Sequence, residues 1–157
     1  MKRSIVCLAL AVLLAPNLAR PQAPATGLAA LSDEQVEARN RATQAAGAFQ
    51  NEGFKNRDSF WAGSFKAGES KVIEVNLYAG NDYWFSLAAT DKASKIKISI
   101  FDETGAVIPP DAVEIADDQE RHTSSLAFAP AASGSFFVKI EEVEGDVAAL
   151  CLVYSYK

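Results

Sequence analysis

Few side chains in this sequence are of kinds that carry chemistry, and their spacing limits what they can do. His122 is the single histidine, and Thr123, Ser124 and Ser125 follow it. A Ser–His–acid relay needs a serine on a strained, exposed turn with backbone donors for an oxyanion. No Gly-x-Ser-x-Gly occurs, so His122 reads as a solvated loop residue. The inventory excludes zinc. Cys7 falls in a segment expected to be removed, and the remaining Cys151 with His122 cannot furnish the usual nitrogen and sulfur ligands. No glycine-rich phosphate loop is present.

One stretch has a possible metal chemistry. "DAVEIADDQE" brings Asp111, Glu114, Asp117, Asp118 and Glu120 into what reads as one loop. Calcium takes several hard oxygen ligands from a flexible loop. The stretch lacks the turn glycine and fixed ligand order of an EF-hand, and charge runs are usually solvated faces. The expectation is therefore a chain without a cofactor, with no tight calcium site at these residues. A glycosidase would need two carboxylates held about 5–9 Å apart across a cleft, and nothing in the sequence indicates a cleft.

The flanking segments set the context for these groups. Lys2 and Arg3, the apolar run 5–15 and Pro16 have the order of an export signal, with small-residue cleavage sites at Asn17-Leu18-Ala19 and Ala23-Pro24-Ala25. The run is short for a bilayer span, which needs about 20 residues. Residues 1–25 are read as a signal peptide and 26–31 as a tether, within an Ala/Pro-rich join over 19–30. The expected location is the periplasm or the cell exterior, without membrane insertion once the signal is gone. Removal also takes Lys2, Arg3 and Arg20 from a chain whose net charge is already −5. Nucleic acid is excluded as a partner, since phosphate binding requires a basic footprint. Cys151, left alone, makes no internal disulfide and reads as a buried small hydrophobe in the run 148–153.

A helix is expected over 32–53. Ser32 and Gln35 form a capping box, Glu37 and Arg41 an i,i+4 pair, and Gly53 a stop. Its apolar side holds Leu31, Ala38, Ala42, Ala45, Ala46 and Phe49, a shallow stripe suited to close packing on a flat surface. From there the period changes to two. Ile73/Val75/Leu77, Ile96/Ile98/Ile100, Leu126/Phe128 and Phe136/Val138/Ile140 alternate with other residues, and turn signals separate them, such as Ala79-Gly-Asn-Asp82 and Asp102-Glu-Thr-Gly105. Short strands without intervening helices predict an all-β antiparallel sandwich over 58–157, preceded by one amphipathic helix.

One strand is apolar on both sides: Tyr83, Phe85 and Leu87 point one way, Trp84 and Ala88 the other. Tyr78, Trp84, Phe101 and Phe137 all fall opposite the aliphatic core and are expected to form an aromatic patch on one outer face. A patch of that size is seldom left bare. Either the alanine stripe of the helix lies over Trp84, or the patch docks a partner.

The β-part resembles the bacterial pre-peptidase C-terminal domain family and its secreted relatives. The matching segments are "SFKAGES" (64–70), "LYAGNDYWFSL" (77–87), "SKIKISIFDETGAVI" (94–108) and "SGSFFVKI" (133–140). An Ala-Gly turn before an aromatic strand, an x-Asp-x-Gly turn and a Ser-Gly-aromatic strand opening are the shared features. The resemblance implies a jelly-roll-like β-sandwich that serves as an accessory module beside secreted peptidases, some members binding calcium or a protein substrate. The chain departs from the family at Lys95-Ile96-Lys97-Ile98, where relatives often carry an acidic strand, and at Ala89 and Ala93, near which some carry cysteines.

These readings converge on an exported, non-enzymatic module that binds a protein or cell-envelope polymer, and the resemblance implies a role accessory to a secreted peptidase. Aromatic anchors would carry the binding energy, and Trp61, Tyr78, Trp84, Phe101 and Phe137 are the residues expected to do so. A secreted hydrolase or its accessory subunit is the alternative. Clustering of His122, a serine and a carboxylate in one pocket would favour it.

Overall fold

The computed structural model describes residues 30–118 and 120–157. The expected signal peptide, Cys7 and most of the tether lie outside those residues. Helix α1 (Asp33–Gly47) begins where its cap dictates: Ser32 Oγ accepts from the Gln35 amide at 3.3 Å, and Gln35 Oε1 accepts from the Ser32 amide at 3.1 Å. Glu37 and Arg41 form the expected ion pair. The helix is shorter than its sequence suggests. A separate 3₁₀ turn, Gln50–Glu52, follows it, and Gly53 turns the chain at φ 92°, a conformation open to a residue without Cβ.

Eight strands follow: β1 (Lys55–Phe65), β2 (Ser70–Leu77), β3 (Tyr83–Ala89), β4 (Ala93–Phe101), β5 (Val113–Asp118), β6 (Thr123–Phe128), β7 (Gly134–Gly145) and β8 (Ala148–Tyr156). They form two antiparallel sheets packed as a sandwich, one ordered β1-β8-β3-β6-β5 and the other β2-β7-β4. The core lies between them. Leu77, Phe85, Leu87, Ile98, Val138, Ile140 and Leu150 are all buried there, which is the face that period-two alternation assigns to them.

Strand β3 is the middle strand of the larger sheet, and all seven of its residues are buried. Tyr83, Phe85 and Leu87 enter the core. The opposite side is covered by α1. Ala38, Ala42 and Ala46 pack on Ala88, Ala149, Cys151 and Val153; small side chains on both surfaces let the helix backbone approach the sheet. Just past the helix, the Phe49 ring stacks on Trp84 with centroids 3.9 Å apart and planes 9° apart. Trp84 is left 6% exposed, so the helix and its trailing phenylalanine act as a lid. Arg41 Nη1 donates to the Ala89 carbonyl at 3.3 Å, and Lys92 pairs with Glu34, which ties the helix to the β3–β4 turn.

Two expectations fail. Tyr78, Trp84, Phe101 and Phe137 do not make one patch. Phe101 and Phe137 face each other across β4 and β7 on the outside of the smaller sheet, Trp84 lies outside the larger one, and Tyr78 follows β2 in a turn. Alternation assigns a face to a residue but does not say which sheet its strand joins. The acidic stretch is also no loop. Residues 113–118 form β5, paired with β6. Val107 bridges Phe101 and the Ile108 amide donates to the Ile100 carbonyl at 2.9 Å. That segment occupies the free edge of β4, and β5 passes to the edge of the larger sheet instead.

Candidate binding seam and outer groove

Strands β1 and β2 are edge strands of opposite sheets, and a cleft of about 440 Å³ opens along the seam between them. Trp61 forms its centre. It sits on the inward face of β1, with its ring packed at 5.4 Å and 62° against Phe65. The ring lies across the backbone of Gly63, so closely that a Cβ at that position would overlap its far edge. Glycine is what lets a tryptophan two residues away lie along its own strand. Tyr78, which is 56% exposed, and half-buried Tyr154 complete the aromatic lining. At one end β1 carries two residues more than β8 between Asn56 and Phe60, a bulge that re-aims side chains. It directs Arg57 over the rings of Tyr154 and Tyr156, at 5.7 and 5.5 Å. Glu74 and Asn76 add polar groups on the β2 side, where Glu74 Oε1 and Asn76 Oδ1 lie 3.0 and 3.1 Å from Ser135 Oγ and share its single hydroxyl proton. The seam therefore holds Trp61 and Tyr78 of the expected anchors. Trp84, Phe101 and Phe137 lie elsewhere, and the Trp84 ring is occupied by Phe49.

A second depression runs beside α1, where the helix leaves β5 and part of β6 uncovered. It has two lobes of about 550 and 540 Å³ that share Phe49. The first lobe contains His122, Ser125, Asp117 and Asp118, the grouping that favours hydrolysis by composition. The hydrogen bonds are arranged otherwise. His122, in the left-handed region at φ 52°, has Nδ1 2.8 Å from the Ala93 carbonyl, which places the proton on Nδ1. Ser125 Oγ donates to Ser86 Oγ at 3.3 Å, and Ser124 Oγ donates to Asp117 Oδ1. Among the described residues no serine or carboxylate is hydrogen-bonded to the imidazole, so the three groups share a groove without a proton path between them.

The acidic stretch is divided by its own strand. Glu114, Ala116 and Asp118 point to the outer face, while Val113, Ile115 and Asp117 point to the inner one. Among the described residues no three His, Cys, Asp or Glu side chains are grouped to hold a metal ion. Two other titratable groups are buried. Cys151 lies beneath the helix, and burial pushes its thiol up to about 12. Glu142, on the inward face of β7, is fully buried with neither carboxylate oxygen hydrogen-bonded. Burial raises its pKa above the ordinary glutamate value; the nearby Ala148 amide acts the other way, and Glu69 and Asp146 add to the rise.

Comparison with models of known protein families and with curated proteins gives no match. Sequence reasoning missed Arg57 and Tyr154. Gly63 two residues after Trp61 was a visible signal for the seam, and Phe49 at the end of an alanine stripe was the signal for what covers Trp84.

Proposed function

We propose that this chain is an exported, non-enzymatic β-sandwich module that binds a protein or cell-envelope polymer in the seam between β1 and β2. The observation that carries the reading is the Trp61 ring held over Gly63 in an open cleft. A ring fixed before the partner arrives loses little rotamer freedom on binding. Tryptophan, tyrosine and arginine are also the types in which binding energy concentrates, and Trp61, Tyr78, Tyr154 and Arg57 meet there. Export rests on the basic start and short apolar run at the N-terminus. The affinity to pre-peptidase C-terminal domains rests on the quoted turns and on a strand order close to that of a jelly roll. An eight-stranded roll pairs 1-8-3-6 and 2-7-4-5, and this sandwich differs only in the sheet that β5 joins.

Site-specific photocrosslinking in the producing cells tests the proposal. A photoreactive residue replacing Tyr78 should capture one discrete partner, whereas the same residue at Val72, equally exposed but outside the seam, should not. Equal capture at both positions, or none at Tyr78, overturns it.

A further inference from the structure

The face beside α1 carries a second inference, independent of the seam. Strand β5 is an edge. It pairs with β6 alone, and among the described residues no other backbone hydrogen bond reaches Val113–Asp118. Such an edge presents unpaired N–H and C=O groups to any extended chain that fits beside it. Glu114 and Asp118 stand on the outer side with Ala116 between them; Val113 and Ile115, the latter 52% exposed, stand on the inner side with Asp117, which already accepts from Ser124 Oγ.

Charge says what fits. The two lobes of the groove are bordered by eight carboxylates and three cationic side chains, Arg41, Arg121 and Lys157. Each of those cations already faces a carboxylate, respectively Glu37, Asp118 and Asp82. Between residues 111 and 120 there is no lysine or arginine at all. A second copy of β5 would place carboxylate against carboxylate, which opposes pairing. A basic strand meets the opposite situation. Lys157 shows the chemistry within the chain: its ammonium lies 4.4 Å over the Phe54 ring and 3.9 Å from Asp82, inside this groove.

We propose that β5 is a strand-addition edge for an extended, basic protein segment, with lysine or arginine at alternate positions facing Glu114 and Asp118 and apolar residues between them facing Ile115. The period of two in the ligand follows from the alternation of side chains on the added strand.

The test is titration of the full chain with a labelled peptide, Lys-Val-Lys-Thr-Lys-Val-Lys, followed by fluorescence anisotropy. Binding should weaken as salt screens the exposed charges. It should fall about tenfold or more in Glu114→Gln/Asp118→Asn, since two charge-assisted contacts are lost, and stay unchanged in Trp61→Ala. Two backbone-methylated peptides decide the geometry: methylation of the odd residues blocks one edge, methylation of the even residues the other. One must lose binding and the other keep it. Retention by both, equal binding of a peptide with its lysines in one block, equal binding of a glutamate analogue, or no binding at all overturns strand addition. None of these outcomes touches the seam reading, which stands or falls on the Tyr78 crosslink.

Discussion

The lid over Trp84 can be removed with one substitution, Phe49→Ala. Phe49 stacks on Trp84 at 3.9 Å, yet its own ring is only half-buried. A fully buried Phe→Ala change costs about 3–5 kcal/mol, so half that burial is worth roughly 2 kcal/mol. The lost ring pair adds about 0.5–1 kcal/mol. At about 4 °C per kcal/mol for a domain of this size, the melting temperature should fall by roughly 10 °C. Helix α1 has 15 residues, which is marginal without tertiary contacts, so its last turns should loosen as well. Differential scanning calorimetry gives the first quantity. Tryptophan emission in a Trp61→Phe background gives the second, and Trp84 should shift to the red. A fall of less than about 3 °C, well under what the ring pair and burial supply, together with unchanged emission, would refute the lid.

Further outcomes follow from the same contacts. Cys151 should be inert to thiol reagents in the native chain lacking Cys7 and react in Phe49→Ala, because the reagent needs a thiolate and access; prompt native labelling contradicts its place under α1. The raised pKa of Glu142 means that the folded state holds its proton more tightly than the unfolded chain does. Its contribution is therefore fully present below the unfolded value of about 4.3 and is lost as pH rises through the higher folded value. Glu142→Gln should melt higher than the parent at neutral pH, by an amount equivalent to about 1–2 kcal/mol, and equal it near pH 3.5; a uniform difference across pH contradicts the assignment. Gly63→Ala should drive the Trp61 ring off its strand at a cost of about 1–3 kcal/mol, read as a change in Trp61 emission in a Trp84→Phe background. Unchanged emission would show that the ring does not rest on Gly63.

Local order was legible in the sequence wherever one short segment decides it. Ser32 and Gln35 announce the start of α1, and the alternation of Ile96/Ile98/Ile100 or Phe136/Val138/Ile140 identifies the core face. Even the two-sided burial of β3 follows from Trp84 and Ala88 opposing Phe85 and Leu87. Strand partners were not legible. Tyr78, Trp84, Phe101 and Phe137 share a parity relative to the core, but sheet membership depends on pairings between residues far apart in sequence, such as Phe101 with Phe137 and Trp84 with Ser155. Strand β5 was hidden because "VEIADD" has little apolar alternation: as an edge strand it buries almost nothing, so its composition resembles that of a loop. Trp61 was identifiable as an anchor type, but its setting was not, because the seam is made by β1 and β2 from different sheets together with Tyr154 near the end of the chain.

Binding through the seam is tested most directly by co-sedimentation with isolated cell envelope from the producing cells, comparing the parent, Trp61→Ala/Tyr78→Ala and Phe101→Ala/Phe137→Ala. Loss of two central aromatic anchors should weaken retention about a hundredfold, since each such residue typically supplies 1–2 kcal/mol or more. The Phe101/Phe137 variant, altered on the outer face of the smaller sheet and outside the cleft lining, should sediment like the parent. Retention of the Trp61/Tyr78 variant at the parent's level, with its fold intact by circular dichroism, would contradict the seam as the binding site.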